Sequence, residues 1–473
     1  MVPAKKSYVV ILMAVLVMIG VGAAYIFWST GQKELHLLPQ KRAVSAALPA
    51  SGAEVGTGWS VKEDPGEAVR EALGLALQGK RQAAPDFVAL FASSGADLKN
   101  ILAATRKFLG NQPKIYGGTS DSRGVMTNRG FIHAGEKDYA VTGKVTGLAV
   151  MTVSSQDIVF GVGSADFSHY ATPREGVKAA MRQALESCGK SPQEAPQAIL
   201  AVISRGVEDD ALEGISEVVG SNVPLLSGTT GGPKFEVLGD QEVFAQGISL
   251  AVIYTRLPLG WVFEGGFDAQ ESSKGVITKV EGRTIFQINW RPALEVYDEW
   301  LGGKIMKLHQ EGADDSTIRN LLILNPFYRR FTSRHGQDYF LFSHPWPQDR
   351  TLQNKSMETS TRLKAGDEIH LTHGTWERLL NRIGNLPVKA RIQGGFGSEN
   401  QAVLAIGYIC AGVMRVVPEA ERQKMASLLN YANHETPFIV PFTWGEQGYF
   451  PGVGYKHGNL LTSFLVIGEK EPR

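Results

Sequence analysis

Apolar residues recur at helical spacing in two places that share a start signal. Val69, Leu73 and Leu77 follow Asp64-Pro65, with Glu67 three residues after the aspartate. Val177, Met181 and Leu185 follow Thr172-Pro173, with Glu175 in the same place. A capping side chain, a proline in the first turn and a glutamate at the third position start a helix. An unbroken apolar run comes next in each copy, "APDFVALFASSG" (84–95) and "APQAILAVISRG" (195–206), and reads as a buried strand. Residues 96–110 and 209–220 then read as helices ended by glycine. "KIYGGTSDSRG" (114–124) and "PLLSGTTGGPK" (224–234) read as strands running into turns, and "GLAVMTV" (147–153) and "SLAVIYT" (249–255) close the copies. The chain therefore carries an internal repeat over 59–155 and 164–255, offset by about 110 residues up to the Gly-Thr pair.

Each copy is strand, helix, strand, so its two strands pair in parallel across the crossover. Both then end on one sheet edge, where open α/β sheets bind ligands. This brings Ser93, Ser94 and Gly95 beside Gly118, Thr119 and Ser120, and Ser204, Arg205 and Gly206 beside Gly228, Thr229 and Thr230. Glycine admits a ligand close to the backbone, and hydroxyls with helix N-termini favour polar or anionic groups. Asp121, Arg123 and Arg205 supply charges for a ligand of opposite sign, though turn chemistry alone also accounts for such residues. From Gly260 the pattern changes to a hairpin about Glu281-Gly282, a short helix after Pro292, strands over 338–346 and 402–413, a helix over 418–432, and closing strands. The expected fold is α/β: two duplicated strand-helix-strand units (58–256) and a second mixed α/β domain (257–468).

The amino terminus differs in kind. Tyr8 to Trp28 carries no charge and is long enough, as a helix, to cross a bilayer's hydrocarbon core. Lys5 and Lys6 precede it, and Tyr25 and Trp28 suit the membrane interface. It is expected to be a transmembrane anchor (8–28) behind a short tail (1–7), with a signal peptide cleaved near Val21-Gly22-Ala23 as the alternative. Residues 29–57 are rich in Ala, Gly and Ser and read as a flexible linker. A single-pass protein with its body outside the cytoplasm is the expected arrangement.

Charge and motifs remove several function classes. The 473-residue chain has a net charge of +1, which gives no electrostatic case for nucleic acid. Cys188 and Cys410 are the two cysteines, enough for one bridge or two buried thiols but not for an all-cysteine zinc site. Gly189-Lys190-Ser191 lacks the first glycine of a P-loop, Ala184 standing there, and no His-Glu-x-x-His or Gly-x-Ser-x-Gly occurs. His370 and His373 are three apart on a strand and face opposite sides, a poor arrangement for one metal. Glu446 and His457 could meet across a terminal hairpin as an acid–base pair or a ligand clamp. His344, in "SHPW", sits in a packed corner.

"DPGEAVREAL", "FASSG", "YGGTSDSRG" and "LSGTTGGP", followed by "INWRPALEVYDEWLG" and "FTWGEQGYFPGVGYKHGN", resemble the FIST sensory domain family from about Trp59 to Gly468. The order of these stretches is more specific than any one of them. The resemblance implies a sensory module for a small ligand, with amino acids often proposed. Such modules usually precede an output domain, whereas only Glu469 to Arg473 follow the last FIST-like strand, so the signal is expected to pass to a separate partner. The ligand is expected to be held by Ser93, Ser94, Gly118, Thr119, Ser120, Asp121, Arg123, Arg205, Gly228, Thr229, Thr230, Glu446 and His457, without a cofactor. Two alternatives stand beside this reading. One is a haem-binding gas sensor, since some FIST-like proteins are associated with haem, with His344 as the candidate ligand. The other is a hydrolase or transferase using Glu446 and His457.

Overall fold

In a computed structural model, residues 52–81, 84–121, 124–132, 147–232, 234–346, 353–397 and 402–469 are described. Tyr8–Trp28 and Arg123 lie outside them. No helix among the described residues is long and apolar enough to cross a membrane.

The first unit runs β1 (Glu54–Ser60), α1 (Pro65–Leu77), β2 (Phe87–Ser93), α2 (Leu98–Leu109), β3 (Lys114–Ser120), β4 (Val125–Thr127), β5 (Gly130–Ile132) and β6 (Leu148–Ser154). The second repeats it as β7 (Ile158–Asp166), α3 (Pro173–Glu186), β8 (Ala198–Ile203), α4 (Glu208–Val219), β9 (Leu225–Thr229), β10 (Val237–Leu238), β11 (Val243–Phe244) and β12 (Gly247–Thr255). The caps act as the spacing predicts: Asp64 Oδ1 accepts from the Glu67 amide at 2.8 Å and Thr172 Oγ1 from the Glu175 amide at 3.3 Å. Both crossovers join parallel strands, β2 with β3 and β8 with β9. Two corrections follow. Each unit begins one strand earlier than expected, and Glu54–Thr57, read as linker, belong to β1.

The larger correction concerns the carboxyl-terminal half, which holds a third copy. β13 (Leu259–Gly265) leads into an insertion: β14 (Asp268–Glu281), β15 (Thr284–Ile288), β16 (Arg291–Pro292), α5 (Ala293–Trp300), α6 (Lys304–Gln310), α7 (Asp315–Leu324), β17 (Phe327–Thr332), β18 (Asp338–Ser343), β19 (Pro345–Trp346), β20 (Met357–Thr359) and β21 (Glu368–His373). The copy resumes with α8 (Trp376–Gln393), β22 (Ala402–Cys410), α9 (Ala411–Val416), α10 (Glu419–Ala432), β23 (Phe438–Thr443), β24 (Glu446–Phe450), β25 (Gly454–Gly458) and β26 (Leu461–Gly468). Strand orders β1-β6-β2-β3, β7-β12-β8-β9 and β13-β26-β22-β23 are the same order three times.

Each sheet is completed by strands from another unit. β10 and β11 of the second unit extend the first sheet beyond β3. β24 and β25 of the third extend the second beyond β9, and β4 and β5 of the first extend the third beyond β23. The exchange closes on itself, as a heterologous contact must when it does not propagate. The insertion forms a fourth sheet, β18-β17-β21-β14-β15-β20-β19, with its own core about Tyr297 and Phe327.

Strand alternation sorts the core. Phe87, Phe91, Leu200, Val202, Leu404, Ile406 and Tyr408 turn inward to one central cluster shared by all three sheets. There Tyr116 and Tyr408, from the first and third units, share a buried hydroxyl–hydroxyl hydrogen bond of 2.5 Å. Val88 and Leu90 face the helices of the first unit, Ile199 and Ala201 those of the second, and Ala405 and Ile409 those of the third.

The first strand of each unit runs under its helix with glycine at the crossing. A Cβ on Gly58 would lie 1.8 Å from the Ala72 carbonyl oxygen, one on Gly163 2.0 Å from that of Ala180, and one on Gly260 1.8 Å from that of Ala390. No rotamer relieves an overlap with backbone, so these helices sit on their strands only because the positions are glycine. Gly163→Val should lower unfolding stability in urea by about 3 kcal/mol or more, the upper range of overpacking. Gly189→Ala, at a position open to solvent but with φ of 70°, should cost only about 1 kcal/mol.

Candidate functional site

The turns after β3, β9 and β23 meet where the three units exchange strands. Their backbones are joined in a ring. The Gly231 amide donates to the Thr119 carbonyl at 3.1 Å, the Trp444 amide to the Thr229 carbonyl at 3.0 Å, and the Asp121 amide to the Phe442 carbonyl at 2.8 Å. Thr119, Thr229 and Phe442 are thus equivalent, as are Asp121, Gly231 and Trp444.

Most of the hydroxyls expected to meet a ligand serve this junction instead. Thr119 Oγ1 donates to the Gly231 carbonyl at 2.8 Å and Thr230 Oγ1 to the Phe235 carbonyl at 2.7 Å. Ser120 Oγ donates to the Gly124 carbonyl at 2.6 Å and accepts from the Phe442 amide at 2.8 Å. Thr229 Oγ1 donates to Glu208 Oε1 at 3.2 Å and accepts from Gln447 Nε2 at 3.0 Å. Ser93, Ser94, Gly118 and Gly228 are buried with them. Ser94 lies under Gly232, where an added Cβ would come within 1.8 Å of the serine Cβ, so the edge of the first unit is closed by backbone.

The edges of the second and third units carry different chemistry. Arg205, exposed, follows Ser204 on the turn equivalent to Ser94. Its guanidinium lies 5.6 Å from the ring centres of both Phe235 and Trp444, two cation–π contacts. Phe235 meets Trp444 edge-on at 5.7 Å from a backbone with φ of 50°, an uncommon conformation for an aromatic residue. The Trp444 indole N–H donates to Asp121 Oδ2. Asp121 therefore stands on one unit, Arg205 and Phe235 on the next, and Trp444 on the third.

Beyond Trp444 is a small cavity lined by Arg319, His344, Trp346, Cys410, Arg415 and Thr443, enclosing about 30 Å³. That is room for about one water. His344 is pushed down to about 4 by burial, and the nearby Arg319 and Arg415 charges add to the effect, so it is neutral at physiological pH. A haem does not fit beside it. At the edge of this site Cys410 accompanies Glu446, whose carboxyl burial pushes well above the usual range despite hydrogen bonds from the Thr443 hydroxyl and the Leu461 amide. Burial also raises the Cys410 thiol, and Cys188 is likewise a free thiol.

Glu446 and His457 do not form a pair. Gln447 stands opposite His457 in the β24–β25 ladder, so Glu446 points to the other face. His457 instead lies near Asp209, 3.9 Å from Nδ1, among residues that surround Glu208. Glu208 is 2% exposed and accepts from the Gly206 amide at 3.0 Å and from Arg283 at 2.9 Å. Burial alone would raise its pKa, but the His457 and Arg283 charges, with hydrogen bonds from Arg283 and from its own backbone amide, outweigh it and hold Glu208 below the usual glutamate range. His370 stacks on Tyr328 at 4.9 Å and His373 Nδ1 meets Asn325 Oδ1 at 2.9 Å, so the two histidines have separate surroundings. Among the described residues no cluster of three His, Cys, Asp or Glu could hold a metal ion.

Asp121 and Arg205 are among the candidates read from the sequence; Trp444, Phe235 and Glu208, which the fold brings to the same junction, are not. The signal for Trp444 was its place: Phe442-Thr443-Trp444 is the third version of Thr119-Ser120-Asp121 and Thr229-Thr230-Gly231. Pro441 and Phe442 stand where the other copies have glycine and threonine, which hides the correspondence.

The FIST N domain matches residues 86–291 and the FIST C domain residues 293–449. The chain belongs to the FIST domain family, whose domains are sensory. No curated protein matches it. Among solved structures, a cyanuric acid hydrolase from A. caulinodans is similar over 88% of this chain and 100% of its own, at 10% identity and a TM-score of 0.33. A second cyanuric acid hydrolase covers the same shares at 8% identity and a TM-score of 0.32. PurLQS from Thermotoga maritima covers 89% of this chain and 74% of its own, at 10% identity and a TM-score of 0.22. These likenesses are too slight to bear on fold or function.

Glu208→Gln leaves Arg283 without its buried counter-charge and should destabilise the protein by about 3 kcal/mol at neutral pH. A carboxylate held down in the folded state stabilises above the ordinary glutamate range, and that stability is lost as pH falls through the depressed value. The gap between variant and parent, read from urea unfolding, should therefore narrow below about pH 4.

Proposed function

We propose that this FIST-family chain is a sensor that binds a small polar, amino-acid-like ligand at the Trp444 platform. The observation that carries this reading is Arg205. It is an exposed cation held over Trp444 and Phe235, while the carboxylate of Asp121 receives the indole N–H. A cation over the indole and a carboxylate at its N–H edge complement a zwitterion whose side chain stacks on the ring. The cavity of about 30 Å³ behind the indole is too small for such a molecule. In this reading the indole moves as the ligand binds.

That coupling supplies a signal. The Trp444 amide is one of the three bonds that close the ring between units, so a ligand that shifts this residue acts on the junction of the second and third units. A ligand shifts such an equilibrium only by its difference in affinity for the two states. In this reading Tyr8–Trp28 would hold the body at a membrane, and the output would pass to a separate partner. Glu446 and His457, each in its own surroundings, give no acid–base pair, which favours binding over turnover.

Screening the full chain against amino acids by thermal melting tests the reading. A ligand at a hundred times its Kd should add about 2.7 kcal/mol to stability and raise the melting temperature by a few degrees. Arg205→Ala and Asp121→Asn should each abolish that shift while leaving the unliganded melt near its parent value. A shift that survives both substitutions would place the ligand elsewhere.

A further inference from the structure

The exposed edge of β13 and the edge of β18 border an open cleft of about 430 Å³. This lies in the range of roughly 300–1,000 Å³ typical of ligand pockets. None of its lining residues belongs to the Trp444 platform. Its walls are aromatic: Trp261, Phe263, Tyr339, Phe340, Tyr449 and Phe450 are the rings that matter here. They are braced by one another. Tyr339 stacks on Phe450 at 4.7 Å and 15°, Phe263 meets Phe450 at 5.1 Å, and Trp261 meets Tyr449 at 6.2 Å. Gly448 lets the Phe263 ring lie directly on the sheet, since a Cβ there would come within 2.3 Å of the ring.

The charged residues among the lining are both acidic, Glu264 and Asp338, and no lysine, arginine or histidine lines the cleft. Each carboxylate is partly engaged: Glu264 with Lys389 at 2.6 Å and Arg382 at 3.3 Å, Asp338 with Arg330 at 3.9 Å. With these cations close to the carboxylates, the ring faces supply most of the attraction. Cations already use ring faces beside the cleft. The Arg330 guanidinium lies 5.8 Å from the Phe340 centroid and Lys456 Nζ lies 5.1 Å from that of Phe331. The negative faces of aromatic rings bind a weakly hydrated cation best, and tryptophan best of all.

We propose that this cleft is a second binding site, one for a small organic cation of the quaternary-ammonium class. Trp261 and Tyr339 provide faces for the ammonium methyl groups. The site is independent of the Trp444 platform.

Titrating the full chain by calorimetry with choline and with 3,3-dimethylbutan-1-ol, its neutral isostere, tests this. Choline should bind saturably with a Kd of about 1 mM or below, and the isostere at least about tenfold more weakly. Trp261→Ala and, separately, Tyr339→Ala should each weaken choline at least about tenfold, which guards against one variant failing to fold. Arg205→Ala should leave choline binding unchanged. The proposal is overturned by equal affinity for the isostere, by no saturable choline binding up to about 20 mM, or by choline binding that both cleft variants leave intact.

Discussion

Three backbone hydrogen bonds between successive units hold the centre of this protein: Gly231 to Thr119, Trp444 to Thr229 and Asp121 to Phe442. Each joins the turn after one unit's strand to the strand of another, and each unit also lends strands to complete a neighbour's sheet. A single unit removed from this ring would expose the unpaired edge of β3, β9 or β23 and the inward face of its sheet. Unpaired edges and apolar faces are costly in water. The body from β1 to β26 is therefore one interlocked structure, and the conserved strand order of its units serves that closure before it serves any ligand.

Closure also explains where chemistry can sit. Hydroxyls that could have met a ligand are used to fasten the turns: Thr119 to Gly231, Ser120 to Gly124, Thr230 to Phe235. The units differ at one position on their second turn, Ser94, Arg205 and Ala411, and at one on their third, Asp121, Gly231 and Trp444. Where serine meets glycine the edge is shut. Where arginine meets tryptophan a charged, aromatic surface remains open. Sequence divergence between structurally equivalent turns thus leaves one of the three edges charged and aromatic.

Much of this was legible in the sequence. The caps at Asp64 and Thr172, the parallel crossovers and the gathering of Ser93 with Ser120 follow from local signals that tertiary contacts did not override. The third copy was not legible, because the long insertion after β13 separates its first strand from its first helix and Pro441-Phe442 replaces the Gly-Thr pair. Strand exchange could not be read either: β4, β10 and β24 are short, and their partners lie in other units. The Glu446–His457 pairing failed for a simpler reason. Side chains alternate along a strand, and the register that places Gln447 across from His457 turns Glu446 away. Trp444 was invisible as a candidate because its surroundings come from a partner in each of the other two units.

Hydrogen exchange at the amides of Asp121, Gly231 and Trp444 in the full chain tests the central claim most directly. If the ring is one cooperative closure, the three amides exchange with a common free energy, equal to that of amides in β2, β8 and β22. Exchange of one of them at a much lower free energy, while the other two stay protected, would mean that the units open singly and would contradict the account.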